Sequence, residues 1–181
     1  TGKAGTASLA ATLLTRGTAT RSTTEIARAA EALGASIDTG AGREGSAIGI
    51  TVATPALSPA LDILADAARH ATLAPAELER ARAQAIDATQ VTLTDPMELA
   101  GLAADRALFG ASAYGGAVDG TPASLKAITR GDVQRAYAAA WSPDRATLIL
   151  TGDITPAAAK ALAERWFGDW RADGATPAAL P

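Results

Sequence analysis

Ala35-Ser36-Ile37-Asp38-Thr39-Gly40-Ala41 runs into Gly42-Arg43-Glu44-Gly45 and out again through Ser46-Ala47-Ile48-Gly49-Ile50-Thr51-Val52-Ala53. In the second arm Ile48, Ile50 and Val52 recur at every other position, which puts their side chains on one face of an extended chain. The Gly-rich connection supplies a turn, and the whole reads as a β-hairpin over 35–41 and 46–53. A phosphate cradle is the rival reading of 40–45, but the stretch leads into a strand and lacks a following Lys-Ser/Thr pair. The chain is therefore not a plain helical bundle.

Outward from the hairpin the sequence is helical. Proline suits the first position of a helix, where its missing N–H would be unpaired anyway, and Ser, Thr or Asp before it can accept from the free first-turn amides. Ser58-Pro59, Asp95-Pro96, Thr121-Pro122 and Thr155-Pro156 repeat that device, Pro75 opens another helix, and Ser22 with Glu25 matches a reciprocal capping box. Helices are expected near 4–16, 23–33, 59–70, 75–92, 96–108, 122–127, 131–140 and 156–166, with Gly17 and Gly34 stopping the first two. A third strand is expected at 146–152, where the run Ala146-Thr147-Leu148-Ile149-Leu150 is uniformly apolar apart from one threonine. The fold class that follows is α+β, a two-layer arrangement with an antiparallel or mixed sheet and helices packed on one face. Ile48, Ile50, Val52, Leu148 and Leu150 should be buried in the sheet. On the helices the same is expected of Leu9, Leu13, Ile26, Leu33, Leu61 and Leu64, and of Ile86, Leu162 and Trp166. Residues 1–170 read as one domain, with Phe109 to Gly120 as a surface loop and 171–181 as a linker.

Composition narrows the chemistry. The 181 residues are 48% hydrophobic but only 4% aromatic, so alanine carries much of the apolar content and Trp141, Trp166, Phe167 and Trp170 are expected to anchor the C-terminal half, with Tyr114 packing as well. A net charge of −3, with basic residues scattered along the chain, lacks the positive stripe of a nucleic-acid binder. No apolar run is long enough to span a bilayer. Cysteine is absent and His70 is the one histidine, which excludes a disulfide framework, Cys-ligated metal and any site needing two imidazoles from this chain. His70 ends its helix, where a helix-dipole cap accounts for it better than metal ligation. Glu25, Glu31, Glu77, Glu79 and Glu98 fall in first turns or on polar helical faces and read as caps and solvated surface.

Four stretches in order resemble the N-terminal-type domain of the pitrilysin/insulinase family, the inverzincin metallopeptidases related to mitochondrial processing peptidase. Gly5-Thr6-Ala7-Ser8-Leu9-Ala10-Ala11-Thr12-Leu13-Leu14-Thr15-Arg16-Gly17-Thr18 is similar to the family's Gly-Leu-Ala-His-x-x-Glu-His-x-x-x-x-Gly-Thr. Glu31 to Asp38 resembles its helix-to-strand turn. Phe109 to Gly115 with Gly120-Thr121 and Ser124-Leu125, then Leu148 to Asp153 with Phe167-Gly168-Asp169-Trp170, complete the set. The resemblance implies a pitrilysin-like domain whose first strands are missing here, so that the open sheet edge is expected to drive self-association of the isolated chain.

At the catalytic motif the chain departs from that pattern. Where the family carries two zinc-binding histidines and a general-base glutamate, this sequence has Ser8, Thr12 and Ala11. The third ligand, a glutamate on a later helix, has no counterpart in Ala85-Ile86-Asp87-Ala88-Thr89, and Asp87 is off position. No catalytic residue, no metal ligand and no cofactor is expected in this chain; zinc is expected in a catalytic partner domain. The resemblance further implies extended peptides as partners, laid on Asp38, Thr39 and Gly40 by backbone pairing, while a plain edge strand blunted by Asp38 and Gly40 is the other reading. It implies a non-catalytic domain that closes a peptide chamber, or alternatively an inert assembly subunit, and points to the bacterial periplasm or envelope.

Overall fold

The computed structural model describes residues 2–172. Eight α-helices and one two-stranded antiparallel sheet make up the regular structure of these residues, an α+β fold in agreement with the sequence. In chain order they are α1 (Thr6–Leu13), α2 (Thr23–Ala32), β1 (Ser36–Ala41), β2 (Ser46–Thr51), α3 (Leu57–His70), α4 (Pro75–Thr92), α5 (Pro96–Phe109), α6 (Pro122–Ala127), α7 (Arg130–Ala140) and α8 (Pro156–Phe167).

The caps fix the boundaries. The Ser22 hydroxyl accepts from the Glu25 amide while Glu25 accepts from Ser22, and Thr121 and Ser124 repeat the exchange at α6. Asp95 accepts from the Met97 amide at 2.8 Å and Thr155 from that of Ala158 at 3.3 Å. Ser58 departs from this rule. A short 3₁₀ turn at Thr54–Ala56, opened by Pro55, leads straight into α3, so Ser58 is already helical and caps nothing. Gly34 takes a positive φ of 63° just past α2, as a helix-stopping glycine should. Gly17 does not stop α1, which ends at Leu13 so that the chain can bend and bridge Thr18 to Ala71.

The chain forms two units. The first takes the described residues up to Leu13, then Gly40–Ala47 and Leu73–Tyr137. Here α1 packs on α4, and α4 on α6, around Leu9, Leu13, Leu78, Leu125 and Val133, all fully buried. Asp132, in the first turn of α7, accepts from Lys3, from Arg135 and from the amide and hydroxyl of Thr129. Hydrogen bonds from Lys3 and Thr129 hold its carboxyl far below the ordinary carboxylate range.

The second unit takes Leu14–Thr39, Ile48–Thr72 and the described residues from Ala138 onward. Its centre is α3, buried at Ala60, Leu61 and every position from Ile63 to Ala68, with α2 and α8 against it. Arg69 donates to the Trp166 carbonyl at 2.8 Å and pairs with Asp169 at 2.9 Å, fastening the end of α8.

The expected strand at 146–152 and several expected core positions need correction. Residues 146–150 form no strand: the sheet holds β1 and β2 alone, and the apolar run finds no ladder partner among the described residues, leaving Ile149 76% exposed and Leu148 37%. With only two strands the hairpin alternates between exposed and half-buried positions, so Ile48, Ile50 and Val52 are half-buried rather than sealed, and Leu150 is too. Leu33, Ile86, Leu162 and Trp166 are likewise half-buried, because alanine-rich helices pack a thin core and leave long side chains at its margin. Trp141, Phe167 and Trp170 are half-buried too, with the Phe167 and Trp170 rings 6.1 Å apart. The expected 171–181 linker lies, beyond Ala172, outside the described residues.

Candidate functional site

The first turn of α1 lies against the segment 117–121 at backbone contact. A Cβ on Gly5 would stand 2.6 Å from the Asp119 carbonyl oxygen, and one on Gly120 2.4 Å from that of Ala4, so neither position admits a side chain. That approach sets Ser8, one turn into the helix, beside Asp119: its hydroxyl donates to Asp119 Oδ1 at 2.8 Å. Ser8 and Thr12 share one face of α1 and line a cavity of ≈ 360 Å³. Ala11, expected from the resemblance to stand in place of a general base, is 0% exposed and packs into the core.

The opposite wall is α4, through Ala85, Ala88, Thr89 and Thr92, and Glu98 and Leu102 of α5 add a third side. Asp87, the nearest acid in sequence to the third ligand position, is solvent-exposed and does not line the cavity. The cavity is lined by hydroxyls, methyls and leucine side chains, with the carboxylates of Glu98 and Asp119 its charged groups. Zinc takes imidazole, thiolate or carboxylate, usually from three or four residues, and of the lining side chains only Glu98 and Asp119 offer one, so the cavity does not fit it. Among the described residues no three His, Cys, Asp or Glu side chains gather that could hold a metal ion. His70 belongs to the second unit, where its Nδ1 stands 3.2 Å from Asp66 Oδ1 at the end of α3.

The proposed peptide edge is β1. Asp38 and Gly40 are exposed and Thr39 is half-buried, and because the sheet has two strands, β1 pairs with β2 on one side only. Its other edge has no ladder partner among the described residues.

Several arrangements escaped the sequence reading. Asp66, buried on α3, accepts from the Thr18 hydroxyl at 2.6 Å, the Thr20 hydroxyl at 2.8 Å and Arg21 Nη1 at 2.7 Å, and Arg21 also pairs with Asp62 at 2.6 Å. Burial pushes the Asp66 carboxyl up, but the hydrogen bonds from Thr18, Thr20, Arg21 and His70 outweigh it and hold it below the usual carboxylate range. The four-residue spacing of Asp62 and Asp66 on α3, with Thr18-Ala19-Thr20-Arg21 following Gly17, was the available signal. In the first unit Arg43, at the hairpin tip, pairs with Asp105 at 2.6 Å and donates to the carbonyls of Ala113 and Gly116. Tyr114 is 41% exposed rather than packed: its ring is tilted against Phe109 and its hydroxyl donates to Glu44, a hydrogen bond that, with the Glu44 charge, pushes the phenol up.

Comparison with known proteins agrees with this geometry. Residues 1–107 match the family model described as Insulinase (Peptidase family M16), and 127–181 match that of the Peptidase M16 inactive domain. An uncharacterized zinc protease of Bacillus subtilis, YmxG, is 24% identical over 159 residues, 88% of this chain and 39% of that protein. An uncharacterized zinc protease of Mycobacterium leprae is 27% identical over 156 residues, 86% of this chain and 35% of its own length. The crystal structure of a peptidase M16 inactive domain from Pseudomonas fluorescens superposes with a TM-score of 0.84 at 26% identity, covering 98% of this chain and 43% of that one. The chain therefore spans well under half the length of these relatives. With the Insulinase family model matching residues 1–107 and that of the inactive domain matching 127–181, the chain belongs to the insulinase family, peptidase family M16, as an inactive-type domain.

Proposed function

We propose that this chain is the non-catalytic domain of an insulinase-family zinc peptidase system, closing the peptide chamber and holding extended substrate along β1 beside a catalytic domain that carries the zinc. The observation that carries this reading is Ser8, Ala11 and Thr12 on α1, the helix that resembles the family's catalytic one, where the resembled motif has its two histidines and its glutamate. The open edge of β1 supports the second half of the reading. Backbone pairing along Asp38, Thr39 and Gly40 needs no particular substrate side chain, which suits a domain that must hold varied peptides.

The test is fluorescence anisotropy of a labelled unstructured peptide titrated with the purified chain, followed by mass spectrometry of the peptide. Saturable binding of an intact peptide is expected, with cleavage appearing only when a catalytic domain of the same system is added. Absence of binding would point instead to an inert assembly subunit of the same fold.

A further inference from the structure

The cavity beside Ser8 is built to accept hydrogen bonds. The Ser8 proton goes to Asp119, the Thr89 proton to the Ala85 carbonyl at 2.8 Å, the Thr92 proton to that of Ala88 at 3.2 Å, and the Thr121 proton to Ser124 Oγ at 3.3 Å. Four of the five hydroxyls lining the cavity therefore present lone pairs to it, and only Thr12 keeps an uncommitted proton. The other polar side chains of the lining are the carboxylates of Glu98 and Asp119, which can only accept when ionised. No Lys, Arg or His lines the cavity.

Position sharpens the point. Glu98 and Asp119 are exposed residues and so form the rim, whereas Leu9 and Leu125 are buried and form the floor, with Leu102 and Val118 half-buried between them. A ligand that answers this pattern brings donors and positive charge to the rim and an apolar stem to the floor. An anion would meet two carboxylates with no compensating cation, and a neutral polar group would find one donor in the lining. At ≈ 360 Å³ the space is at the small end of ligand sites, enough for one side chain rather than a peptide segment.

We infer that this cavity binds a primary ammonium or guanidinium group carried on a short apolar stem, either the side chain of a basic residue in a peptide or a free alkylamine. The positions that frame the family's metal in the catalytic form would here hold an organic cation. The site lies within the first unit and uses no residue of the β1 edge.

The experiment is isothermal titration of the full chain with N-acetyl-lysine methylamide, its uncharged analogue N-acetyl-norleucine methylamide, and n-butylamine. The lysine derivative should bind at least about tenfold more tightly than the norleucine one, and Glu98→Gln and Asp119→Asn should each weaken it about fivefold. Ala88→Trp, at an exposed α4 position that lines the cavity, should abolish binding while leaving the circular dichroism spectrum unchanged. Binding of n-butylamine as well would assign the site to free amines and peptide side chains alike; binding of the lysine derivative alone would assign it to peptides. Equal affinity for the norleucine analogue, no binding of either amine, or binding that survives Ala88→Trp would overturn the inference. Because no β1 residue is altered, that failure would leave the peptide-edge reading untouched.

Discussion

Ser8 and Asp119, 111 residues apart in the chain, meet as donor and acceptor at 2.8 Å, made neighbours by the backbone approach of Gly5 to the segment 117–121. Here the hydroxyl spends its proton on a carboxylate, which fixes both groups and leaves the helix face without a metal ligand.

Ala11 is fully buried, so Ala11→Glu would not restore a general base. A carboxyl introduced at this fully buried position must be taken out of water, and a loss of about 3 kcal/mol or more is expected in urea unfolding. A stability within a few tenths of a kcal/mol of the parent would show that the helix face is open to a ligand after all.

Gly120→Ala should be damaging for a separate reason. Its φ is 83° and an added Cβ would sit 2.4 Å from the Ala4 carbonyl oxygen, so the backbone must shift as well as adopt a disfavoured conformation. The conformational part alone is worth about 1–2 kcal/mol. Thermal unfolding of Gly120→Ala beside Gly34→Ala, where nothing lies within 4 Å, separates the contact from the φ preference.

The Asp66 cluster makes stability pH-dependent. Its carboxyl is held below its unfolded value, so the stabilisation is present above the ordinary aspartate pKa of about 3.9 and is lost as pH falls through the lower folded value. Urea midpoints measured downward from neutral pH should decline in that acid range, and Asp66→Asn should flatten the decline. Thr18→Val, which removes a 2.6 Å donor from the buried carboxylate, should cost about 1–3 kcal/mol at neutral pH.

The run 146–150 is largely apolar and without a ladder partner among the described residues, with Ile149 76% exposed. Such a segment templates pairing with another chain. Sedimentation velocity should show association that grows with concentration and falls in Ile149→Lys; a monomer at every concentration would contradict this.

Local signals carried the helices and non-local ones did not carry the rest. Asp95, Thr121 and Thr155 each cap the helix their sequence announces, because a cap is decided within four residues. The strand at 146–152 was written just as plainly in composition, yet a strand exists only by pairing with a distant segment, and pairing leaves no mark in its own residues. The same limit explains the site. Ser8, Ala11 and Thr12 could be placed on one face from their spacing, whereas Asp119 enters through the close backbone approaches of Gly5 to Asp119 and of Gly120 to Ala4, which no periodicity encodes. Burial of Leu33 and Leu162 was overestimated because apolar spacing tells which face points inward and not how much of it is covered.

The central claim is that this domain holds peptide along β1 without cutting it, and hydrogen–deuterium exchange of the amides of residues 36–41, with and without a saturating unstructured peptide, tests it most directly. New protection confined to amides that do not face β2, with the peptide recovered intact, is the expected result. Unchanged exchange along β1 under conditions where the peptide is bound, or recovery of cleaved peptide from the chain alone, would contradict it.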